Sequence, residues 1–233
     1  GVQTCALPIW KIAAGPGHSS PVVAQGKLVY SDETDGKETV RQVDAATGRE
    51  LWSNPFADAF SDEWGKGPRS TPVIDGDRIY VQSCMGEFRC LDFRSGKALW
   101  GTSFDKDHGV AFLGTKVQEG AAVRRGHNGC AVVDGDHVIV PVGSPKGALA
   151  CYEKRTGKLL WRAGSDESAY SSPIITKIGG MKHRCDMQVA IVTVDPESQA
   201  NLQSVRHDVA MGKTHALGTT GRASGVEEDR VVI

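Results

Sequence analysis

An all-β propeller, incomplete and built from four-stranded antiparallel blades, is predicted by a segment that repeats three times along the chain. Each copy has an acidic residue, a glycine four positions later and a tryptophan four positions after that glycine. A second glycine precedes the tryptophan by 24 to 26 residues in every copy. Such regular spacing indicates one supersecondary unit per copy, because each unit must cover the apolar face of its neighbour.

The three copies of the tryptophan motif run from Asp44 to Trp52, from Asp92 to Trp100 and from Glu153 to Trp161. Counted from Trp10, the tail of an earlier copy, the tryptophans recur at intervals of 42, 48 and 61 residues. The first two intervals match the roughly 40–50 residues of a propeller blade. The third contains an insertion, residues 105–125, which we expect to form a loop on one face.

Each copy is expected to contribute four strands. In the second copy, a short apolar run at 72–74 is followed by Asp75-Gly76, a pair typical of tight hairpin turns. Further strands are predicted over 78–81, 88–91 and 97–100, with Asp92 capping a turn in which Gly96 has positive φ. The complete blades are predicted to span residues 17–54, 68–104 and 126–162, with parts of two other blades beyond them.

The two ends of the chain depart from the repeat. Residues 1–9 look like the translation of a sequencing adapter, and we exclude them from the fold. The repeat is expected over residues 10–180, whereas residues 181–233 form an off-pattern tail. Because the last 63 residues contain no aromatic side chain, we expect a frameshift or chimeric join there, with poor packing. A polar tail is the alternative.

Composition excludes several functions. The net charge is −1, from 27 basic and 28 acidic residues, so no basic face for nucleic acid or an anionic membrane is expected. An apolar run of about 18 residues, which a transmembrane helix needs, does not occur in the sequence. The six cysteines and seven histidines are dispersed, so we predict buried free thiols and no metal site.

The motif, with its upstream glycine hairpin, resembles the PQQ-type (quinoprotein) repeat of quinoprotein alcohol dehydrogenases and of the outer-membrane assembly lipoprotein. The resemblance covers about residues 10–180 and implies an extracytoplasmic, periplasmic location. It also implies that Trp52, Trp100 and Trp161 dock against the neighbouring blade, largely buried. WD40 repeats have a similar period, but the chain contains no Trp-Asp dipeptide.

Four large polar residues precede the first strands of the copies and are expected at one rim of the central channel. Alignment of the copies gives this position to His18, Arg69, His127 and Tyr170. Together they could bind an anionic ligand, a hydroxylated ligand or a peptide. The alternative is a structural role, in which they cap the inner strands and hydrogen-bond the neighbouring blade, because buried strand ends need partners.

Two functions remain open. The first is a non-catalytic propeller that binds a protein partner or a small ligand at its mouth, without a cofactor. The second is part of a PQQ-dependent alcohol or sugar dehydrogenase, which by resemblance would need a disulfide of adjacent cysteines, a Ca²⁺ held by Glu and Asn, and a catalytic Asp. The chain has no adjacent cysteines, and its repeated acidic residues are better explained as turn residues. We therefore favour the first.

Overall fold

The computed structural model describes residues 10–110, 126–144, 146–165, 172–178, 181–186 and 189–193. Within these ranges the chain forms seventeen strands and one helix of five residues. The predicted all-β class is therefore confirmed.

Three sheets of four antiparallel strands follow one another, each with its strands side by side in chain order. The first contains β1 (Val22–Ala24), β2 (Lys27–Thr34), β3 (Lys37–Asp44) and β4 (Glu50–Asp58). A separate hairpin of β5 (Ser61–Asp62) and β6 (Gly65–Lys66) comes next. The second sheet contains β7 (Val73–Asp75), β8 (Arg78–Gln82), β9 (Glu87–Asp92) and β10 (Ala98–Ser103), and helix α1 (Phe104–His108) follows it. The third contains β11 (Val132–Asp134), β12 (His137–Ser144), β13 (Gly147–Glu153) and β14 (Leu159–Ala163). These sheets are the three predicted blades.

A fourth sheet contains three strands, β15 (Ile174–Ile178), β16 (Met181–Asp186) and β17 (Val189–Thr193). The boundary expected at residue 180 therefore falls inside this sheet, because strand pairing continues through Thr193. β17 is a short apolar run, Val-Ala-Ile-Val-Thr, and such a β-branched run favours a strand without any aromatic side chain. The remainder of the expected tail, residues 194–233, and the excluded residues 1–9 lie outside the described residues.

The turn chemistry follows the repeated residues. Asp75 pairs with Arg78 across a two-residue turn in which Gly76 has φ +58°. At the other turn of the same blade, the Asp92 carboxylate accepts hydrogen bonds from the backbone N–H and the hydroxyl of Ser95, both at 2.7 Å. These bonds lower the pKa of Asp92. The repeated acidic residue thus stabilises a turn, as the sequence predicted.

The hydrophobic core lies between neighbouring blades. Val29 and Val40 of the first blade pack against Ile79 and Leu91 of the second. A larger cluster joins the other face of the second blade to the third, and its main members are Tyr80, Phe88, Phe104, Val138, Val140 and Tyr152. Each sheet therefore buries both faces only when it has a neighbour on each side, as blades of a propeller do.

The insertion expected as a loop over residues 105–125 begins instead as part of a helix. In α1, Phe104 is fully buried and His108 is nearly so, and Gly109 ends the helix with φ +65°. The His108 ring hydrogen-bonds the Tyr152 hydroxyl of the third blade. Burial of these two side chains explains why this turn is ordered. Residues 111–125 lie outside the described part of the chain.

Candidate ligand-binding rim of the propeller

The candidate site lies at one end of the blades. In an antiparallel four-stranded sheet, the turn between the second and third strands lies at the same end as the connection to the next blade. The rim of this end therefore carries the β2–β3 turn, the connection from β4 to β7 with its extra hairpin, and helix α1. Of the polar residues expected at the channel rim, Arg69 and His127 belong to the connections between blades, and His18 precedes β1 at the same end.

A chain of hydrogen bonds fixes which residues are equivalent in successive blades. The backbone N–H of Ser20 donates to the Thr71 hydroxyl at 3.1 Å. The Thr71 N–H donates to the Cys130 sulfur at 3.1 Å, and the Cys130 N–H donates to the Ser172 hydroxyl at 2.9 Å. Each of these residues precedes the first strand of its blade by the same distance, so they occupy one repeated position.

This register corrects one of the predicted rim residues. Two positions before the linked residues, the third blade has Asn128, not His127. In the other blades a proline follows the linked residue and marks the alignment, but in the third blade this position is Ala131. Without that proline, the sequence alignment was shifted by one residue. The equivalent rim positions are therefore His18, Arg69, Asn128 and Tyr170, of which Tyr170 lies outside the described residues.

His127 belongs to the core between the second and third blades. Its side chain is 4% exposed, and its ring meets the Phe104 ring edge-on, with centroids 4.9 Å apart. Its backbone N–H donates to the Cys84 carbonyl oxygen at 2.9 Å. His127 thus stabilises the packing of the connection that leads into the third blade.

Arg69 is held by a carboxylate on the hairpin above it. Its two terminal nitrogens donate to the two carboxylate oxygens of Asp62, at 2.8 and 2.5 Å. The Asp62 side chain is fully buried and that of Arg69 is 10% exposed. The guanidinium also lies over the Phe60 ring, 4.9 Å from its centroid. Hydrogen bonding to Asp62 raises the pKa of Arg69, so the guanidinium keeps its positive charge across the physiological range.

The hairpin above this ion pair, residues 61–66, is called the rim hairpin here. Its tip presents Trp64, which is 66% exposed, and the Trp64 N–H donates to the Asp62 carboxylate at 2.8 Å. His18 lies beside the tip, since a Cβ added at Gly65 would be 2.9 Å from the His18 Nε2 atom. Trp64 belongs to no repeat motif, so the sequence analysis did not identify it. Its position beside Gly65 and Gly67, in a connection between blades, was the feature that could have pointed to an exposed turn.

A buried carboxyl lies under the base of the rim hairpin. Glu38 is fully buried; its Oε1 accepts a hydrogen bond from the Cys84 N–H at 3.3 Å, while its Oε2 has no hydrogen-bond partner. Burial raises the pKa of Glu38 to about 7, although the bond from Cys84 lowers it. Burial also raises the pKa of the Cys84 thiol well above its usual range. Cys84 is therefore a protonated core residue.

The tryptophans of the outer strands contact the turn of the next blade. Trp52 Nε1–H donates to the Phe93 carbonyl oxygen at 3.3 Å, and a Cβ added at Gly96 would lie 2.5 Å from the indole. Only glycine fits at this turn, where φ is also +69°. The same contacts are made by Trp10 with Gly48 and the Ala45 carbonyl oxygen, and by Trp100 with Gly157 and the Lys154 carbonyl oxygen.

These tryptophans are partly buried. The resemblance had implied that they would be largely buried. The fourth strand is the outermost strand of each blade, so one edge of the indole remains at the periphery. Trp161 packs beside Ile139 and Leu149 within the third blade and near Ile175 of the fourth.

Metal-binding chemistry has little support in this region. Within the described ranges, no group of three or more His, Cys, Asp or Glu side chains could hold a metal ion. The side-chain oxygens of Glu38 and Asn128 both contact Cys84, but two oxygens fall short of the six to eight that Ca²⁺ takes. Cys84, Cys90, Cys130 and Cys151 are free thiols.

The ion pair under the rim hairpin can be tested by a conservative substitution. Arg69→Lys keeps the positive charge but loses one of the two hydrogen bonds to Asp62, so it is expected to cost about 1–2 kcal/mol of stability. Chemical unfolding measures this cost, with Arg94→Lys, at an exposed position of the second blade, as the control. If Arg69→Lys and Arg94→Lys had the same stability, the two hydrogen bonds between Arg69 and Asp62 would not contribute to folding.

The repeated four-stranded sheets, with cores between them and a tryptophan reaching each next turn, define a β-propeller of the quinoprotein type. The sequence profile described as outer membrane protein assembly factor BamB matches residues 36–125 and 103–181. These matches together cover more than half of the chain, which therefore belongs to this PQQ-like propeller family. The resemblance noted from the repeat is confirmed.

Two curated relatives are dehydrogenases. The "1-butanol dehydrogenase (cytochrome c)" of Thauera butanivorans is 27% identical over 152 residues, which are 61% of this chain and 19% of that protein. The "Quinohemoprotein alcohol dehydrogenase ADH IIB" of Pseudomonas putida is 29% identical over 133 residues, 52% of this chain and 16% of that protein. The chain thus spans less than a fifth of the length of either relative.

Two similar solved structures are a BamB and a methanol dehydrogenase. BamB from Moraxella catarrhalis is 14% identical, with a TM-score of 0.47 over 78% of this chain and 47% of that one. A europium-containing methanol dehydrogenase is 17% identical, with a TM-score of 0.46 over 65% of this chain and 25% of that one. In the described part of the chain, no helix has the length and apolar character needed to cross a membrane.

Proposed function

We propose that the chain is part of a non-catalytic propeller that recognises a partner at its rim, in an extracytoplasmic compartment such as the periplasm. The observation that carries this proposal is the rim hairpin, which presents Trp64 at 66% exposure above a buried ion pair. A large aromatic side chain held in solvent by a rigid base is typical of a recognition surface.

The side chains described at and below the rim support a non-catalytic role. Arg69 is engaged by Asp62, and His127 is buried against Phe104. Burial raises the pKa of Cys84 well above its usual range and that of Cys90 to about 12. Buried thiols with raised pKa values are poor nucleophiles, because the thiolate is the reactive form.

A second candidate is a PQQ-dependent alcohol or sugar dehydrogenase, favoured by the names of the two curated relatives. In such an enzyme PQQ would supply the redox chemistry. Glu38 and Asn128, which both contact Cys84, are the described side chains closest in type to the Glu and Asn that hold Ca²⁺ in that family. The chain supplies no adjacent cysteines, and we derive no catalytic step through the quinone.

Dye-linked alcohol oxidation separates the two candidates. The whole gene product that contains this chain is incubated with PQQ and Ca²⁺, and dye reduction is followed with 1-butanol and with glucose. We expect no turnover above the background of free PQQ. Turnover that depends on added alcohol or sugar, and that Glu38→Gln abolishes, would overturn the proposal in favour of the dehydrogenase.

A further inference from the structure

Helix α1 attaches the connection after the second blade to the third blade. Its first residue, Phe104, is fully buried, and Val110, just after its end, is 5% exposed. Both side chains belong to the hydrophobic cluster between the second and third blades. Apolar packing therefore holds the helix at two points, and His108 lies between these points in the sequence.

His108 supplies a polar contact between the docked helix and the third blade. Its side chain is 6% exposed, and its Nε2 atom shares a hydrogen bond with the Tyr152 hydroxyl on β13. The other ring nitrogen, Nδ1, is buried and has no hydrogen-bond partner among the described residues. Both nitrogens of a protonated imidazole are donors. Protonation in the docked position would therefore leave a charged N–H group buried without an acceptor.

Two charged groups act on the ring, and they have opposite signs. The cation is Arg162 on β14, whose guanidinium donates to the Asp107 carbonyl oxygen at 3.0 Å. The anion is the Asp107 carboxylate, which accepts hydrogen bonds from the Thr102 hydroxyl and the Ser103 N–H at 2.7 and 2.8 Å. The carboxylate is thus engaged by β10, and Arg162 disfavours a second positive charge beside it.

The other elements around the helix bring few further titratable groups. Strand β10 contains none, and β12 contains only His137, at its opposite end. Asp105 and Lys106, on the helix itself, are exposed. His127, in the connection to the third blade, contacts the ring of Phe104 edge-on, as His108 does. The charge state of the docked helix therefore depends mainly on His108.

The direction of the pH effect follows from this environment. Burial lowers the pKa of His108 from 6.5 to about 4; Arg162 lowers it further, whereas Asp107 raises it. In an undocked helix the ring is in water and has its ordinary pKa. A base whose pKa is lowered by docking stabilises the docked state fully above pH 6.5, and this stabilisation is lost as the pH falls towards 4. Acid therefore favours the undocked helix.

From this contact between a buried imidazole and the third blade we propose that helix α1 is an acid-released latch, which protonation of His108 detaches from Tyr152 and from the cluster between the blades. Release exposes Phe104 and Val110 at the rim, while the strands of both blades keep their own pairing. The latch is independent of the recognition function proposed above, because it concerns a different connection.

Hydrogen exchange of backbone amides tests the latch in the whole gene product. The amides of Gly109 and Val110, which donate to the Asp105 and Phe104 carbonyl oxygens at 2.9 Å, report opening of the helix. The amide of Ile79, in a strand paired on both sides, reports global unfolding. After correction for intrinsic exchange, protection at Gly109 and Val110 should fall by about tenfold or more from pH 7 to pH 4.5, relative to Ile79.

Two substitutions separate the latch from general acid destabilisation. His108→Gln keeps a polar side chain that takes up no proton, so the loss of protection should shrink to less than about twofold. His137→Gln, at a partly exposed position at the opposite end of the third blade, is the matched control and should keep the full loss. NMR titration of the His108 ring in the unchanged protein is an independent measurement, and its midpoint should lie below pH 6.5.

Three results would overturn the latch. The first is protection at Gly109 and Val110 that changes no more with pH than protection at Ile79. The second is an equal loss of protection in the His108→Gln variant. The third is an NMR midpoint of the His108 ring at pH 6.5 or above, because docking would then impose no cost on its protonation.

Discussion

Replacing Trp100 by alanine is expected to lower the free energy of unfolding by about 3–5 kcal/mol. The indole lies between two blades, with its centroid 5.7 Å from that of Phe88 and 5.8 Å from that of Tyr152. Its Nε1–H donates to the Lys154 carbonyl oxygen of the next blade at 3.1 Å. Removal therefore leaves a cavity at the blade interface, and the Lys154 carbonyl oxygen keeps only its second hydrogen bond, from the Tyr80 hydroxyl at 2.9 Å.

Denaturant unfolding of the whole gene product measures this cost, and Trp64→Ala is the matched control. Because Trp64 is 66% exposed, its removal is expected to change stability by less than about 0.5 kcal/mol. If Trp100→Ala were as stable as Trp64→Ala, the contact with the next blade would not hold the propeller together.

Replacing Glu38 by glutamine is expected to stabilise the protein by about 2–3 kcal/mol at pH 8, since each pKa unit corresponds to about 1.4 kcal/mol. Burial raises the pKa of Glu38 from 4.5 to about 7. A raised folded-state pKa means that the stability of the unchanged protein is full below pH 4.5 and falls as pH rises through 7. Glutamine has no charge to develop, so the variant lacks this loss.

Unfolding at pH 4.5 and pH 8 measures the effect. The two proteins should have similar stability at pH 4.5 and differ at pH 8. Asp35→Asn, at the exposed turn of the same β2–β3 hairpin, should show no such dependence. A Glu38→Gln variant that is less stable at pH 8 would mean that the carboxylate is stabilised by a partner at the hairpin base.

The blades could be predicted from the sequence because their information is local and repeated. Each acidic residue hydrogen-bonds its own turn, as Asp92 does with Ser95, and each turn glycine leaves space for a tryptophan about one blade earlier, as Gly96 does for Trp52. Because the same acidic residue, glycine and tryptophan recur in three copies, the strand order and the bounds of the blades could be predicted without knowing any tertiary contact.

The rim could be predicted only in part because it consists of the connections where the copies differ. His18 and Arg69 keep the equivalent positions that the alignment gave them, but the partner of Arg69 is Asp62, on a hairpin in the connection between the first and second blades. His127 was misplaced because the third blade lacks the proline that marks the register. Trp64 could not be identified from the sequence because what distinguishes it is its exposure. Exposure depends on tertiary packing, which a sequence motif does not contain.

Equilibrium titration of the whole gene product with PQQ in the presence of Ca²⁺ tests the central claim most directly. Calorimetry and quinone absorbance are followed together at micromolar protein. The non-catalytic propeller predicts no saturable uptake of the quinone, with Trp64 and Glu38 variants giving the same flat titration. Stoichiometric binding of one PQQ per chain would contradict it and identify the mouth of this propeller as a cofactor site.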